Sequence, residues 1–175
     1  MMISPAYCRT MAGYSRWQND QLAAAFAALD PAALLADRGA FFGSILGTAN
    51  HVLWADQLWL ARLTGTGAPA LSLSQSPGLT DSGSAWQAAR RQCDDAMSAW
   101  ARDLDEAALA GDLSWHSDLL GAPMSRPLAL CAMHLFTHGT HHRGQIHAML
   151  TAAGADAPTT GLLFAPDRDA MPASA

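Results

Sequence analysis

Four long stretches of this 175-residue sequence repeat apolar residues at intervals of three and four, the spacing of an amphipathic helix. Each begins near a serine that can cap a helix, and each ends near glycine or proline, which stop helices. Amphipathic helices without strong strands bury their apolar faces against one another. The pattern predicts an all-α fold, a four-helix bundle. The predicted helices run from Ser4 to Leu29, Ser44 to Leu63, Ser82 to Leu104 and Ser125 to Gly154. The polar face of the third predicted helix holds Arg90, Arg91, Asp94 and Asp95.

The connections between these helices differ in composition. Residues 64–78 are rich in Ser, Gly and Pro and are predicted to be a loop. Residues 111–124 alternate loosely around Trp115, which predicts a short hairpin or extended connector before the last long helix. Residues 1–164 are predicted to form a single domain, in which Leu162, Leu163 and Phe164 form one buried turn, and residues 165–175 a disordered tail.

Charge and composition exclude several classes of partner. The net charge of −5 leaves no basic surface to neutralise phosphates, so no nucleic acid is expected to bind. No apolar run approaches the roughly 20 residues that cross a bilayer, so we expect no membrane association and a soluble, cytoplasmic protein. Cysteines 8, 93 and 131 are odd in number and widely spaced, which predicts reduced core residues rather than disulfides.

The basic and acidic residue types narrow the chemistry further. All ten basic residues are Arg, so the chain has neither a Schiff-base lysine nor a phosphate-loop lysine. Glu106 is the sole glutamate, which excludes a di-iron carboxylate bundle. Gly139 follows His138 where a zincin has its glutamate.

The segment 134–145 carries four of the seven histidines of the chain, at 134, 138, 141 and 142. Histidines four apart lie on one face of a helix, and two such imidazoles can bind one divalent ion. His138 and His142 share the core-facing stripe of the predicted helix and are the preferred pair. His134 is then a neighbour of the site or a surface residue, with the pair 134 and 138 as the alternative. The sequence assigns no role to His141 or His147.

A third ligand must come from another part of the chain, and the two candidates are His51 and His116. His51 is favoured because it lies in an apolar helix with Gly47 and Ala55 one turn to either side, which would leave room for an ion. Cys131 lies seven residues before His138 on the same face, and the simpler interpretation is a small buried thiol.

Three segments of the sequence are distinctive: YSRWQN at 14–19, RGAFFGSILGTANHVLWADQLWL at 38–60 and HLFTHGTHHRGQIHAML at 134–150. In these segments the chain resembles the DinB/YfiT-like family of metal-binding four-helix bundles, which is unrelated to the polymerase that shares the DinB name. The resemblance implies a three-histidine site of His51, His138 and His142, a nickel or zinc ion, and a homodimer. It also implies that a low-molecular-weight thiol such as bacillithiol or mycothiol is used. Thr137 and Gly139 depart from the Asn and Gln that are common around the first motif histidine.

Three functional hypotheses follow. The first is a metal-dependent enzyme that acts on a small-molecule substrate, a thiol S-transferase-like transferase or else a hydrolase. The second is a non-enzymatic metal-binding protein, a stress-response dimer in which the ion joins two helices. The third is a metal-free bundle whose histidines serve packing alone. A coordination position open to a pocket favours the first hypothesis, and a site sealed from solvent favours the second.

Overall fold

The computed structural model describes residues 2–166 and consists mainly of four long helices. Helices α1 and α3 each pack against both α4 and α6, so the four long helices surround one core and confirm the predicted bundle. In chain order the helices are α1 (Pro5–Ala28), α2 (Pro31–Leu35), α3 (Ile45–Thr64), α4 (Gly83–Asp103), α5 (Glu106–Ala110) and α6 (Leu128–Ala152).

Serine side chains start three of the long helices where the sequence predicted. Ser4, Ser44 and Ser82 have extended backbones, and each hydroxyl accepts a hydrogen bond from a backbone N–H in the first turn. Such caps satisfy amide groups that have no partner inside the helix. At the other end of α3, Gly65 adopts a left-handed conformation with φ of 71°, which a residue with a Cβ rarely adopts.

The predicted start of the last long helix at Ser125 is wrong. The helix begins at Leu128, and Ser125 lies in a strand. Pro127 explains the difference, because a proline disfavours the helical region for the residue before it, here Arg126. The backbone therefore stays extended through Arg126, and the N–H of Leu128 donates to the carbonyl of Gly111.

The connector before α6 is an antiparallel hairpin, one of the two forms that the sequence predicted. Strand β1 (Asp112–Ser117) pairs with β2 (Ala122–Pro127), with Trp115 opposite Met124. Alternate side chains are partly buried, and the strands contact α3 and α6. The hairpin thus places Trp115 beside the two helices that carry the candidate site.

Short helices fill segments that the sequence left without structure. Besides α2 and α5, a 3-10 helix spans Leu73–Gly78 within the predicted loop and packs against α3. A second 3-10 turn, Leu162–Phe164, forms as predicted but is not buried, since the three side chains are 46%, 95% and 72% exposed. Hydrogen bonds from Tyr14 and Gln18 to the carbonyls of residues 160 and 159 hold the adjoining segment, so polar contacts replace the predicted apolar ones. The predicted disordered tail lies outside the described residues from 167 onwards.

Apolar residues from all four long helices fill the core, and the cysteines belong to it. Cys8, Cys93 and Cys131 are buried and free, as predicted. Burial raises the pKa of the Cys93 thiol to about 12, so this thiol stays protonated and unreactive at neutral pH. None of the helices in the described range is both long and apolar enough to cross a membrane.

A buried ionic network joins three of the long helices inside this core. Arg90 donates to Asp56 (2.7 Å) and pairs with Asp94 (2.9 Å), and each of these side chains is at most 3% exposed. Asn19 from α1 donates to the carboxylate of Asp94. The spacing of α4 had placed Arg90 and Asp94 on a polar face with Arg91 and Asp95. Arg90 and Asp94 can be buried because Asp56 on α3 pairs with the first and Asn19 on α1 donates to the second.

Candidate metal centre

Three histidine side chains meet between α3 and α6. The Nε2 atom of His138 lies 3.3 Å from that of His51 and 3.2 Å from that of His142. One ligand atom from each residue lies within 4.8 Å of the others, and this is the one such cluster among residues 2–166 that is suited to a metal ion. The structure therefore brings together the three residues that the sequence selected as candidate ligands.

Hydrogen bonds fix the orientation of the His51 ring. The hydroxyl of Ser76 donates to the carbonyl of Leu73 (2.7 Å), so its oxygen is free to accept from Nδ1–H of His51 (3.0 Å). With the proton on Nδ1, the lone pair of Nε2 points into the cluster. Asn50, next to His51 on α3, donates to the carbonyls of Pro77 and Thr80 and so holds the Ser76 segment against the helix.

His142 is oriented in the same way by its own helix. Its Nδ1 lies 2.7 Å from Oε1 of Gln145, one turn further along α6. An amide oxygen can only accept, so the proton lies on Nδ1 and the Nε2 lone pair again faces His138. Contacts of this type set the tautomer and position of metal-binding histidines.

A phenylalanine covers one side of the cluster. The ring of Phe42 stacks on His51 with centroids 3.8 Å apart and contacts His142 edge-on at 5.5 Å. Gly47 permits this approach, because a Cβ at that position would overlap the carbonyl oxygen of Phe42. The sequence had suggested that Gly47 leaves room for an ion. In the structure it leaves room for the backbone that carries Phe42.

Burial keeps these imidazoles neutral. It lowers the pKa of His51 to about 4, with a smaller effect from His142. Burial and the neighbouring imidazoles lower the pKa of His138 to about 3, and burial lowers the pKa of His142 as well. Neutral imidazoles are the form that binds metals, so the three side chains are ready to do so at neutral pH.

The other histidines lie outside the cluster. His116 is exposed on β1, so the alternative third ligand is wrong. His134 is also exposed, with its ring centroid 5.6 Å from that of His138, which agrees with a neighbouring position. His141 contacts the ring of His142 from the exposed side of α6, at a centroid distance of 4.8 Å.

The two nitrogen–nitrogen separations around His138 match those expected for ligands of one ion. Two nitrogens held at about 2.0–2.1 Å on a tetrahedral ion lie roughly 3.4 Å apart, close to the separations around His138. Nδ1 of His138 is buried and has no hydrogen-bond partner within residues 2–166. With two lone pairs directed at His138 from either side, the cluster fits a divalent cation in the position where the three Nε2 atoms converge.

Sequence reasoning missed the residues that surround the ligands. Ser76 and Phe42 come from segments without helical periodicity, and neither has a local signal that places it against α3. Gln145 lies three residues after His142 on the same helix. Its spacing of three residues is the signal that relates it to that histidine.

Fold and site together describe a class of protein, a helical bundle with three histidines converging between two of its long helices. Residues 2–170 match the family model described as DinB family, and the chain belongs to this family. No curated protein matches the chain. Its fold is similar to the crystal structure of a DinB-like protein from Bacillus cereus ATCC 10987, with a TM-score of 0.62 and 18% identity, over 82% of this chain and 91% of that chain.

Proposed function

We propose that the protein binds one divalent metal ion through His51, His138 and His142 and acts as a metal-dependent enzyme. The observation that carries the proposal is the convergence of three neutral imidazoles, two of them oriented by hydrogen bonds from outside the cluster. Imidazole ligands suit zinc and nickel, which we propose as the resident ions.

The enzymatic part of the proposal is supported by the unequal burial of the cluster. His51 and His142 are 4% and 8% exposed, whereas His138 is only partly buried. We propose that a small molecule approaches the cluster from the side of His138, the least buried of the three ligands. A divalent ion held by three histidines lowers the pKa of a water or thiol that binds to it and so supplies a nucleophile at neutral pH.

Within this class, we propose a low-molecular-weight thiol as the nucleophile and an electrophilic small molecule as the acceptor, the reaction of a thiol S-transferase. This chain's residues would orient the site and move protons. Phe42 excludes water from the His51 side. His134 and His141, both exposed next to the cluster, are the side chains placed to take the thiol proton.

Metal analysis tests the binding proposal. Protein purified without a histidine tag is expected to contain close to one equivalent of zinc or nickel, and His51→Ala and His138→Ala are each expected to lose it. His116→Ala is the matched control, because it removes an exposed histidine outside the cluster and is expected to retain the metal. Metal-free wild-type protein that stays metal-free after incubation with either ion would contradict the proposal.

A second candidate function is a non-enzymatic metal-binding dimer. It is favoured by apolar side chains that remain exposed in the single chain, among them Phe41 (89%) and Leu119 (81%). If metal-loaded protein is a homodimer and accelerates none of a panel of thiol and electrophile pairs beyond free metal, this candidate replaces the transferase. A rate that requires both the thiol and an intact His138 supports the enzyme.

A further inference from the structure

Arg62 packs against the rings of two tryptophans, one of which also contacts His134. Its guanidinium carbon is 4.8 Å from the ring centroid of Trp59 on α3 and 5.2 Å from that of Trp115 on β1. The two rings also contact one another, at a centroid distance of 5.4 Å. The three distances are similar, so the guanidinium packs into the corner where the two rings meet, and cation–π contacts with both rings restrict its orientation.

The charge of Arg62 is not compensated by a direct partner. Among residues 2–166, no side chain or backbone group accepts a hydrogen bond from Arg62 or forms an ion pair with it within 4.0 Å. Asp118, in the turn of the hairpin, affects its charge only from a greater distance. Burial lowers the pKa of Arg62, as expected for a cation that has lost water without gaining a carboxylate.

Aromatic contacts connect this arginine to the histidine cluster. The ring of Trp59 lies 5.0 Å from that of His134, which in turn lies 5.6 Å from that of His138. Arg62 follows His51 by eleven positions on α3, about 16 Å along the helix axis. The exposed ring of His134 lies between the two ends, so an extended small molecule can contact both the cluster and the arginine.

We infer that Arg62, packed against Trp59 and Trp115, binds a carboxylate of the substrate whose other end reaches the histidine cluster. The inference rests on the proposed function, because it assigns a charge and a length to the substrate of that site. A guanidinium offers two parallel N–H groups to a carboxylate, and the flanking aromatic rings reduce competition from water. The substrate class is therefore an elongated organic anion.

The test uses the indole N–H resonances of the six tryptophans as local reporters in a titration with suberate, a linear dicarboxylate. Suberate is expected to shift the resonances of Trp59 and Trp115 in a saturable way, with no change at the buried Trp86. The neutral diol of the same chain length is expected to shift none of them. The variants Trp59→Phe and Trp115→Phe assign the two signals.

Three substitutions test whether the guanidinium of Arg62 itself binds the anion. Arg62→Gln is expected to weaken suberate binding about tenfold or more, because it removes a charged hydrogen bond. Arg102→Gln, at an exposed arginine on α4, is expected to leave binding unchanged. Asp118→Asn is expected to strengthen binding about two- to threefold by removing a nearby like charge, and it does not depend on the folding of the Arg62 variant.

Metal content of the same samples reports the proposed function separately. His138→Ala is expected to lose the metal and keep the suberate-induced shifts. The inference is overturned if suberate shifts neither indole, if the diol acts equally, or if Arg62→Gln or Asp118→Asn leaves the affinity unchanged. Any of these results with the metal retained would leave the metal-binding proposal intact.

Discussion

At the scale of single residues, the candidate centre depends on hydrogen bonds made by the far sides of two of its three imidazoles. Nδ1 of His51 is held by Ser76, and Nδ1 of His142 by Gln145. These bonds place both Nε2 lone pairs opposite His138 before any ion binds. Part of the entropic cost of assembling the site is therefore met when the protein folds.

Removing the hydroxyl of Ser76 tests this orientation. Ser76→Ala is expected to lower the affinity for zinc about 10- to 100-fold, because His51 loses the group that fixes its tautomer. Competition with a chelator of known affinity measures the change. Ser74→Ala, at an exposed serine in the same 3-10 helix, is the control, and equal affinities for the two variants would contradict the assigned role.

The histidines themselves were predictable from the sequence, but their surroundings were not. The spacing of His138 and His142 indicates one helical face, and His51 is a histidine within an apolar helix. Ser76 and Phe42 reach the site through segments whose path depends on tertiary contacts such as those of Asn50. No local periodicity encodes such contacts, which is why these residues were missed.

At the scale of secondary structure, the composition of helix α3 reflects the segments that pack against it. Gly47 lies in its first turns, where the carbonyl of Phe42 and the side chain of Pro77 come close. Helical periodicity predicted the extent of α3 correctly, yet it could not show which face of the helix admits a loop backbone. The predicted role of Gly47 was wrong for this reason.

Two glycine substitutions are expected to have opposite effects on stability. Gly47→Ala should destabilise the protein by about 1–3 kcal/mol, because the added methyl group overlaps the Phe42 backbone. Gly144→Ala in α6, where a Cβ meets no atom within 4 Å, should stabilise it by about 0.5–1 kcal/mol. Urea unfolding measures both. A Gly47 variant as stable as the wild type would show that Phe42 is not fixed over the cluster.

At the scale of the whole molecule, helix packing combines an apolar core with the buried network of Arg90, Asp56 and Asp94. The sequence predicted the number of long helices and nearly all of their bounds. It assigned Arg90 and Asp94 to a polar face of α4. Helical periodicity shows which residues share a face, but it does not show whether a residue of opposite charge lies on a neighbouring helix. Asp56, which is buried on α3, is that partner.

Breaking the network should strongly destabilise the bundle. Arg90→Met is expected to cost about 3–5 kcal/mol, since it removes the cation that pairs directly with the buried carboxylates of Asp56 and Asp94. Arg91→Met, at the exposed neighbouring position, should change the free energy of unfolding by no more than about 0.5 kcal/mol. Denaturant titration of both variants makes the comparison, and similar stabilities would refute the structural role of the network.

Metal binding should also be visible as stability of the entire fold, because the proposed ligands join α3 to α6. Zinc at a free concentration one hundred times its dissociation constant is expected to stabilise the folded state by about 2.7 kcal/mol. The melting temperature should then rise by about 5–10 °C and fall again after chelation. His138→Ala should show no such response, and an equal response in this variant would place the binding site elsewhere.

Binding of one ion by three imidazoles is tested most directly by X-ray absorption at the zinc edge. Zinc-loaded wild-type protein is expected to show nitrogen or oxygen neighbours at about 2.0–2.1 Å and outer-shell scattering from three imidazoles. A sulfur neighbour at about 2.3 Å, or outer-shell scattering from fewer than three imidazoles, would contradict a centre built from His51, His138 and His142.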